Sequence, residues 1–289
     1  MFQDLVVIII GGDCREVELY RCWKESGPVV KMLGFEEAPE IPEADLAEKE
    51  DLERARVLIA PLSGIKENGS VLSRYSPEPL LIAPFLKATV KPVLLLVGSV
   101  SPSQKTVFKE NIELVLTGED QELALLNAIP TAEGAIQKAM ELSEITLHDS
   151  SVLVMGLGRC GTVLARKLAA LGCRVAVAVR RREAGALART MSMDYLYMNE
   201  IARHAPKFDF VFNTVPAPVL DASTLKEFRP GTIIIDLASA PGGTDFLAAR
   251  QRGLKAVLLP GLPGKVAPRS AGRILARVYE RIIREKMSI

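Results

Sequence analysis

Gly156-Leu157-Gly158-Arg159-Cys160-Gly161 stands between a largely apolar run, Ser151 to Met155, and a helical stretch, Thr162 to Leu171. Glycines at this spacing suit a dinucleotide diphosphate. Gly156 permits a tight turn, Gly158 lets the backbone approach a pyrophosphate, and Gly161 lets the helix pack closely on the strand. The helix N-terminus then turns its N–H groups and the positive end of its dipole toward the phosphates. Leu157, Arg159 and Cys160 complete the binding loop. The next strand, Arg174 to Val179, runs into Arg180-Arg181-Arg182. A carboxylate at that place would accept from ribose hydroxyls, as in NAD enzymes, whereas guanidinium forks suit a 2′-phosphate. NADP(H) is therefore the expected cofactor, held by Arg180 and Arg181. A narrower reading leaves Arg181 and Arg182 as loop charges and gives the phosphate to Arg180 alone.

Ligands of open α/β sheets lie beyond the carboxyl ends of strands. Three further strand ends in the same half qualify: Asn213-Thr214-Val215-Pro216, Asp236-Leu237-Ala238-Ser239 and Pro260-Gly261-Leu262-Pro263-Gly264-Lys265. Thr214, Val215, Pro216, Leu237 and Ala238 are expected to line the nicotinamide end, although Pro and Gly also punctuate ordinary turns. The first half carries a lesser version of the device in Gly11-Gly12-Asp13-Cys14-Arg15-Glu16. That turn suits an anion with help from Arg15, while Asp13 with Glu16 three residues on equally fits a helix capping box. Cys14 has no His or second Cys beside it in sequence to activate its thiol.

The elements that must position these residues alternate strand and helix from end to end, the pattern of parallel α/β layers. Strands are expected at Val6 to Ile10, Val29 to Leu33, Val57 to Ala60, Val93 to Val97 and Ile112 to Leu116. The second half offers Ser151 to Met155, Arg174 to Val179, Tyr195 to Met198, Phe208 to Asn213, Thr232 to Leu237 and Ala256 to Leu259. Between the halves, Ala132, Ala135, Ile136, Ala139, Leu142 and Ile145 recur at helical spacing after Pro130, predicting a connecting helix over 130–147 with the proline in its first turn. Glu36 to Asp51 is acidic and without period, a surface loop. Val266 to Met287 reads as an amphipathic helix whose arginine face is solvated. The fold class is α/β, two Rossmann-like doubly wound parallel-sheet domains: residues 1–129 for substrate, 130–147 connecting, 148–265 for NADP, and 266–289 a C-terminal helix expected to return to the first domain.

With 36 basic and 35 acidic residues in 289, the net charge of +1 provides no field for a nucleic-acid backbone. The apolar runs fall far short of the roughly 20 residues of a membrane span. No basic region precedes the first apolar run, so a secretory signal is not expected and the location is cytoplasmic. Cys14, Cys22, Cys160 and Cys173 form no Cys-x-x-Cys pair and the only histidines are His148 and His204, which disfavours structural metal and leaves four free thiols.

Five stretches together carry a resemblance: Gly-Gly-Asp-x-Arg at 11–15, Ile-Pro-Thr-Ala-Glu-Gly at 129–134, Val-Met-Gly-Leu-Gly-Arg-Cys-Gly at 154–161, Asp-Leu-Ala-Ser-Ala-Pro-Gly-Gly-Thr-Asp-Phe at 236–246, and Pro-Gly-Leu-Pro-Gly-Lys-Val-Ala-Pro at 260–268. On these the sequence resembles the family of dipicolinate synthase A subunits over nearly its full length. In shape it is similar to the D-2-hydroxyacid dehydrogenases and adenosylhomocysteinase. The resemblance implies an oxidoreductase of endospore-forming bacteria that acts with the smaller, flavoprotein-like B subunit of dipicolinate synthase. Its reaction would be oxidation of a dihydrodipicolinate-type product of the lysine pathway to dipicolinate, with the hydride passing to the nicotinamide cofactor. The setting would be the mother cell during sporulation, the product supporting spore heat resistance, and a homo-oligomer is expected.

Such a substrate carries two carboxylates. The candidates to hold them are Gly12, Asp13, Arg15, Gly264, Lys265 and Arg269, with Thr131 and Ser239 as polar partners. Glu133 is the candidate proton acceptor, its other reading being a helix-start charge facing the dipole. A D-2-hydroxyacid dehydrogenase normally uses a late histidine, and none follows His204, which disfavours ordinary 2-hydroxyacid oxidation. The alternative is a protein that binds NADPH for regulation or assembly without chemistry of its own.

Overall fold

The computed structural model describes residues 2–89, 92–108 and 110–289. In chain order its strands and helices run β1 (Val6–Ile10), α1 (Cys14–Ser26), β2 (Val29–Leu33), α2 (Lys49–Arg54), β3 (Val57–Ile59), α3 (Ala83–Ala88), β4 (Val93–Val97), β5 (Ile112–Leu116) and α4 (Gln121–Leu142). They continue β6 (Ser151–Met155), α5 (Arg159–Ala170), β7 (Arg174–Val179), α6 (Arg182–Thr190), β8 (Asp194–Tyr197), α7 (Ile201–His204), β9 (Phe210–Asn213), α8 (Ala222–Leu225), β10 (Ile233–Asp236), α9 (Phe246–Gln251), β11 (Lys255–Leu258), α10 (Leu262–Val266) and α11 (Pro268–Met287). Two compact units result: Met1–Leu126 with Ala267–Ile289, and Asn127–Val266.

The first unit holds a parallel sheet in the order β2-β1-β3-β4-β5. Its central strands are apolar without alternation because both faces are covered; every residue of β3 and β4 is buried. On one face lies α1, crossed by α11 so closely that a Cβ on Gly272 would come 2.6 Å from the Arg15 carbonyl oxygen. Tyr279, Leu275 and Ile283 of α11 join Leu19 and Trp23 of α1 in that core. The arginine face of α11 is not simply solvated. Arg281 meets Asp120 at 2.5 Å and Glu122 at 2.8 Å, and Arg273 meets Glu18 at 3.2 Å, so much of its charge is paired with α1 and the start of α4.

The second unit holds a six-stranded parallel sheet, β11-β10-β9-β6-β7-β8. The order reverses between β6 and β9, the place where a doubly wound sheet opens a ligand crevice at its carboxyl edge.

Several elements differ from the sequence-based expectation. The connecting helix begins at Gln121 and ends at Leu142, with Pro130 in its interior. Asp120 starts it by accepting from the Leu123 N–H at 2.8 Å. Pro130 costs only the one bond its missing N–H would have made, to Leu126 O. At the other end Lys255 donates to the Leu142 carbonyl at 3.1 Å, and Ser143 accepts from Ile145 N, so Ile145 and Leu147 fall outside the helix despite their spacing. Helix α5 starts at Arg159, inside the glycine loop, and α11 at Pro268. The edge strand expected from Tyr195 spans Asp194–Tyr197, and four others are trimmed or shifted by one or two residues. The acidic segment 36–51 contains a short 3-10 turn, Glu43–Asp45, and the start of α2.

Candidate functional site

The glycine loop of the second unit is built as the spacing requires. Gly156 sits at φ +87°, and a Cβ there would approach the Thr214 hydroxyl to 2.8 Å. A Cβ on Gly161 would overlap the Gly156 carbonyl oxygen, so only glycine lets α5 descend onto β6. Gly158 is different: it is the N-cap of α5, no side chain caps the helix there, and a Cβ on it would meet nothing within 4 Å. The 12-residue helix therefore aims its N-terminus into open space beyond the sheet. Leu157 is half-buried against the core, Arg159 is exposed, and burial pushes the Cys160 thiol up to about 11, leaving it protonated at neutral pH.

Beyond β7 the chain exposes Arg180 and Arg181, the latter as N-cap of α6. No carboxylate closes that strand. The loop after β9 is drawn over Gly156 by Thr214, whose hydroxyl and amide both donate to Met155 O, at 2.7 and 3.1 Å.

Two residues that sequence reasoning passed over organise the neighbouring strand ends. Asn213 and Asp236, both wholly buried, close β9 and β10 and meet at 3.1 Å, Nδ2 of Asn213 donating to Oδ1 of Asp236. Asp236 also accepts from Ala238 N at 3.0 Å, Gly243 N at 2.8 Å and the Thr244 hydroxyl at 2.7 Å. Asn213 accepts from Val215 N at 3.0 Å and donates to Val215 O at 3.3 Å. One buried carboxylate with four donors thus fixes both loops on which Thr214, Val215, Pro216, Leu237 and Ala238 lie, and a half-satisfied network would be costly. The signal in the sequence was a polar residue ending each of two apolar strands, with Gly242-Gly243 after the second.

The remaining candidates fall in scattered places. Glu133 lies in the interior of α4, not at a helix start, and its exposed carboxylate accepts from Lys167 of α5 at 2.8 Å. Thr131 bonds back to Asn127 O at 2.7 Å. Ser239 is exposed in the loop that Asp236 holds, Gly264 and Lys265 lie on the short α10, and Arg269 is exposed in the first turn of α11 in the other unit. A groove of about 660 Å³ lined by Arg174, Asp194, Glu200, His204 and Lys207 opens at the amino ends of β6 to β8. That is the opposite edge from the glycine loop and the wrong one for a dinucleotide.

The turn after β1 follows another logic. Asp13 caps α1, its Oδ1 accepting from Arg15 N at 3.0 Å, while the Glu16 carboxylate accepts from Asp13 N at 2.8 Å. Arg15 folds back onto Asp13 through two bonds, Nε to Oδ1 at 2.9 Å and a terminal nitrogen to Oδ2 at 3.0 Å, and is only 7% exposed. Burial would raise the Asp13 carboxyl, but the bonds and charge of Arg15 outweigh it and hold the group below its usual range. Burial pushes Glu16 up to about 7, with Arg15 opposing the effect and the Asp13 charge adding to it. Asp13 and Arg15, expected to meet a substrate, are given to each other, and Gly12 lies over Glu16.

Across this turn runs the segment 72–75. Gly12 N donates to Leu72 O at 2.7 Å, and Arg74 N donates to Gly12 O at 2.9 Å. Cys14 Sγ lies 3.1 Å from the Tyr75 hydroxyl and 3.5 Å from an Arg74 terminal nitrogen.

Known proteins share this two-unit fold. Residues 6–117 match the N-terminal domain of the dipicolinate synthase A subunit, and residues 124–242 match the NAD binding domain of D-isomer specific 2-hydroxyacid dehydrogenases. The dipicolinate synthase A subunit of Bacillus subtilis (strain 168) is 34% identical, the alignment covering 99% of this chain and 98% of that protein. The chain belongs to the family of dipicolinate synthase A subunits. The crystal structure of the Bacillus halodurans family member superposes with a TM-score of 0.88 at 35% identity, covering 98% of both chains. At the level of fold alone, a transhydrogenase from Sinorhizobium meliloti matches with a TM-score of 0.66 at 15% identity over 96% of this chain and 94% of that one. Both units are parallel α/β sheets, and the match over residues 124–242 makes the second the nicotinamide-dinucleotide domain. Among the described residues no helix is long and apolar enough to cross a membrane, and no group of three or more His, Cys, Asp or Glu side chains is placed to hold a metal ion.

Proposed function

We propose that this member of the dipicolinate synthase family oxidises a dihydrodipicolinate-type dicarboxylate to dipicolinate with NADP as oxidant, working beside the B subunit in the mother cell of a sporulating bacterium. The observation that carries the cofactor choice is the end of β7, where Arg180 stands exposed and no carboxylate is present to take ribose hydroxyls.

The residues fit the group. Gly158 leaves room over the uncapped N-terminus of α5, so backbone N–H groups and the helix dipole receive the diphosphate. The guanidinium of Arg180 provides a donor fork for a 2′-phosphate, with Arg181 adjacent. The Asn213–Asp236 pair holds the two loops that border the nicotinamide end in fixed positions. When bound, the cofactor supplies the hydride acceptor. Making a pyridine from a dihydropyridine removes one hydride and one proton, and aromatisation supplies driving force, so the protein's task is mainly to orient the ring. The substrate's carboxylates need cations, and Lys265 and Arg269 are exposed and available for that role.

Titration of the protein with NADPH and NADH, wild type beside Arg180→Ala, tests the cofactor. NADPH preference should fall by about tenfold or more in the variant, the weight of one lost charged hydrogen-bond set. Freshly prepared dihydrodipicolinate with NADP, with and without the B subunit, tests the reaction. Dipicolinate appearing together with reduced cofactor supports it, whereas tight NADPH binding with no turnover even beside the B subunit would leave a binding or assembly role.

A further inference from the structure

We propose that Arg74 anchors a carboxylate of the substrate at the carboxyl edge of the first unit, a binding residue that the sequence pattern does not reveal. The inference rests on the dicarboxylate reading of function above.

The first sheet reverses its order between β1 and β3, so a ligand of this unit is expected beyond the carboxyl ends of those strands. The turn after β1 and the segment 72–75 lie together at that edge, joined by the Gly12–Leu72 and Arg74–Gly12 backbone bonds and a parallel bridge from Gly12 to Ser73. Of the two arginines there, Arg15 is already engaged: it is buried and bound twice by Asp13. Arg74 is exposed, and among the described residues its side chain touches no counter-charge. Its neighbours are Cys14 Sγ at 3.5 Å and the Tyr75 ring, whose centroid lies 5.8 Å from the guanidinium carbon. Tyr75 is itself fixed by its hydroxyl on Cys14 and by stacking on Phe35, centroids 5.9 Å apart.

Among the described residues no carboxylate lies within ion-pair distance of Arg74. Of the nearby acids, Asp13 is bound by Arg15 and Glu40 meets Arg21 at 3.8 Å, while Glu37, whose N–H donates to Tyr75 O at 2.9 Å, makes no ion pair with Arg74. A sulfur and an aromatic ring thus orient the fork of donors without neutralising it, which is what a planar carboxylate requires of a guanidinium. Lysine cannot replace it fully, because a point charge keeps the attraction but loses the two parallel bonds.

The test is isothermal titration of the full-length protein, loaded with NADPH, with the stable product pyridine-2,6-dicarboxylate in chelator-containing buffer. Wild type is set beside Arg74→Gln, Arg74→Lys and Arg269→Gln, with thermal melting and NADPH affinity measured for each. Arg74→Gln should weaken the dicarboxylate about tenfold or more, and Arg74→Lys by less, with NADPH affinity and melting temperature held at wild-type values. In turnover with the B subunit present, the same variant should raise KM while kcat stays near wild type. Product binding by Arg74→Gln equal to wild type, or a loss confined to Arg269→Gln, overturns the anchor and leaves the proposed reaction standing. A wild-type protein that takes NADPH but no dicarboxylate overturns the substrate reading and the anchor with it.

Discussion

Each unit places a glycine-bearing turn between its first strand and the helix that follows it, yet the two turns are finished in opposite ways. At the turn after β6 the N-cap is a glycine with open space above it, so the helix end is left for something outside the chain. At the turn after β1 the N-cap is Asp13, the capping box with Glu16 is complete, and Arg15 is folded back to neutralise it. Both turns offer the same backbone device. Whether it receives a ligand is decided by whether the chain's own side chains already satisfy it.

Substitutions at five positions probe that contrast. The largest effect is expected at the open turn. Gly161→Ala drives a Cβ into the Gly156 carbonyl and should cost roughly 3 kcal/mol or more of stability, read by thermal unfolding. Gly158→Ala should unfold like wild type, since its Cβ meets nothing in the protein, yet bind NADPH far more weakly because the methyl stands where the diphosphate approaches. Equal NADPH affinity in Gly158→Ala would remove the diphosphate from this helix end.

At the closed turn, Arg15→Met should cost about 3 kcal/mol by leaving the Asp13 carboxylate half-buried and unpaired, without altering NADPH affinity. A lowered NADPH affinity would tie this turn to the cofactor and undo the contrast.

Glu16 gives a smaller effect that depends on pH. The folded chain keeps a proton on Glu16 up to about pH 7, whereas the unfolded chain releases it near its ordinary value of 4.5. Between those values the folded state binds more protons, so this group's contribution to stability falls as pH rises through the window and stays low above it. Glu16→Gln keeps an acceptor for Asp13 N and removes the charge. Its melting temperature should match wild type near pH 4.5, exceed it increasingly up to about pH 7 and hold that margin above, and a pH-independent difference would show that Glu16 is not the titrating group.

The smallest effect is expected at Glu133. Its pair with Lys167 lies at the surface, so Glu133→Gln should cost about 0.5 kcal/mol or less and leave turnover essentially unchanged. A large fall in kcat, with stability retained, would restore this carboxylate as the proton acceptor.

Much of the scaffold was legible because its signals are local. Five-residue apolar runs such as Val93–Val97 mark strands covered on both faces, and a glycine fingerprint between strand and helix announces itself. The connecting helix was misplaced because Pro130 looks like a first-turn proline, while the residue that starts the helix, Asp120, acts through a bond to Leu123 N that composition does not display. The Asn213–Asp236 pair joins residues 23 apart across two strands, and Arg74 meets Cys14 from 60 residues away. Neither distance is encoded in a spacing.

Residues adjacent along the chain were enough to establish the alternation of strand and helix, the place of the glycine turn after β6 and the basic end of β7, since each is a local pattern. Which charges are free became visible only once the chain was folded. Arg15 and Arg74 are both arginines near one glycine turn, but the first is buried on Asp13 and the second stands in solvent over Tyr75. The physical reason is that an ion pair or a burial is a property of where the chain returns, and its value to a ligand depends on the partner it already has.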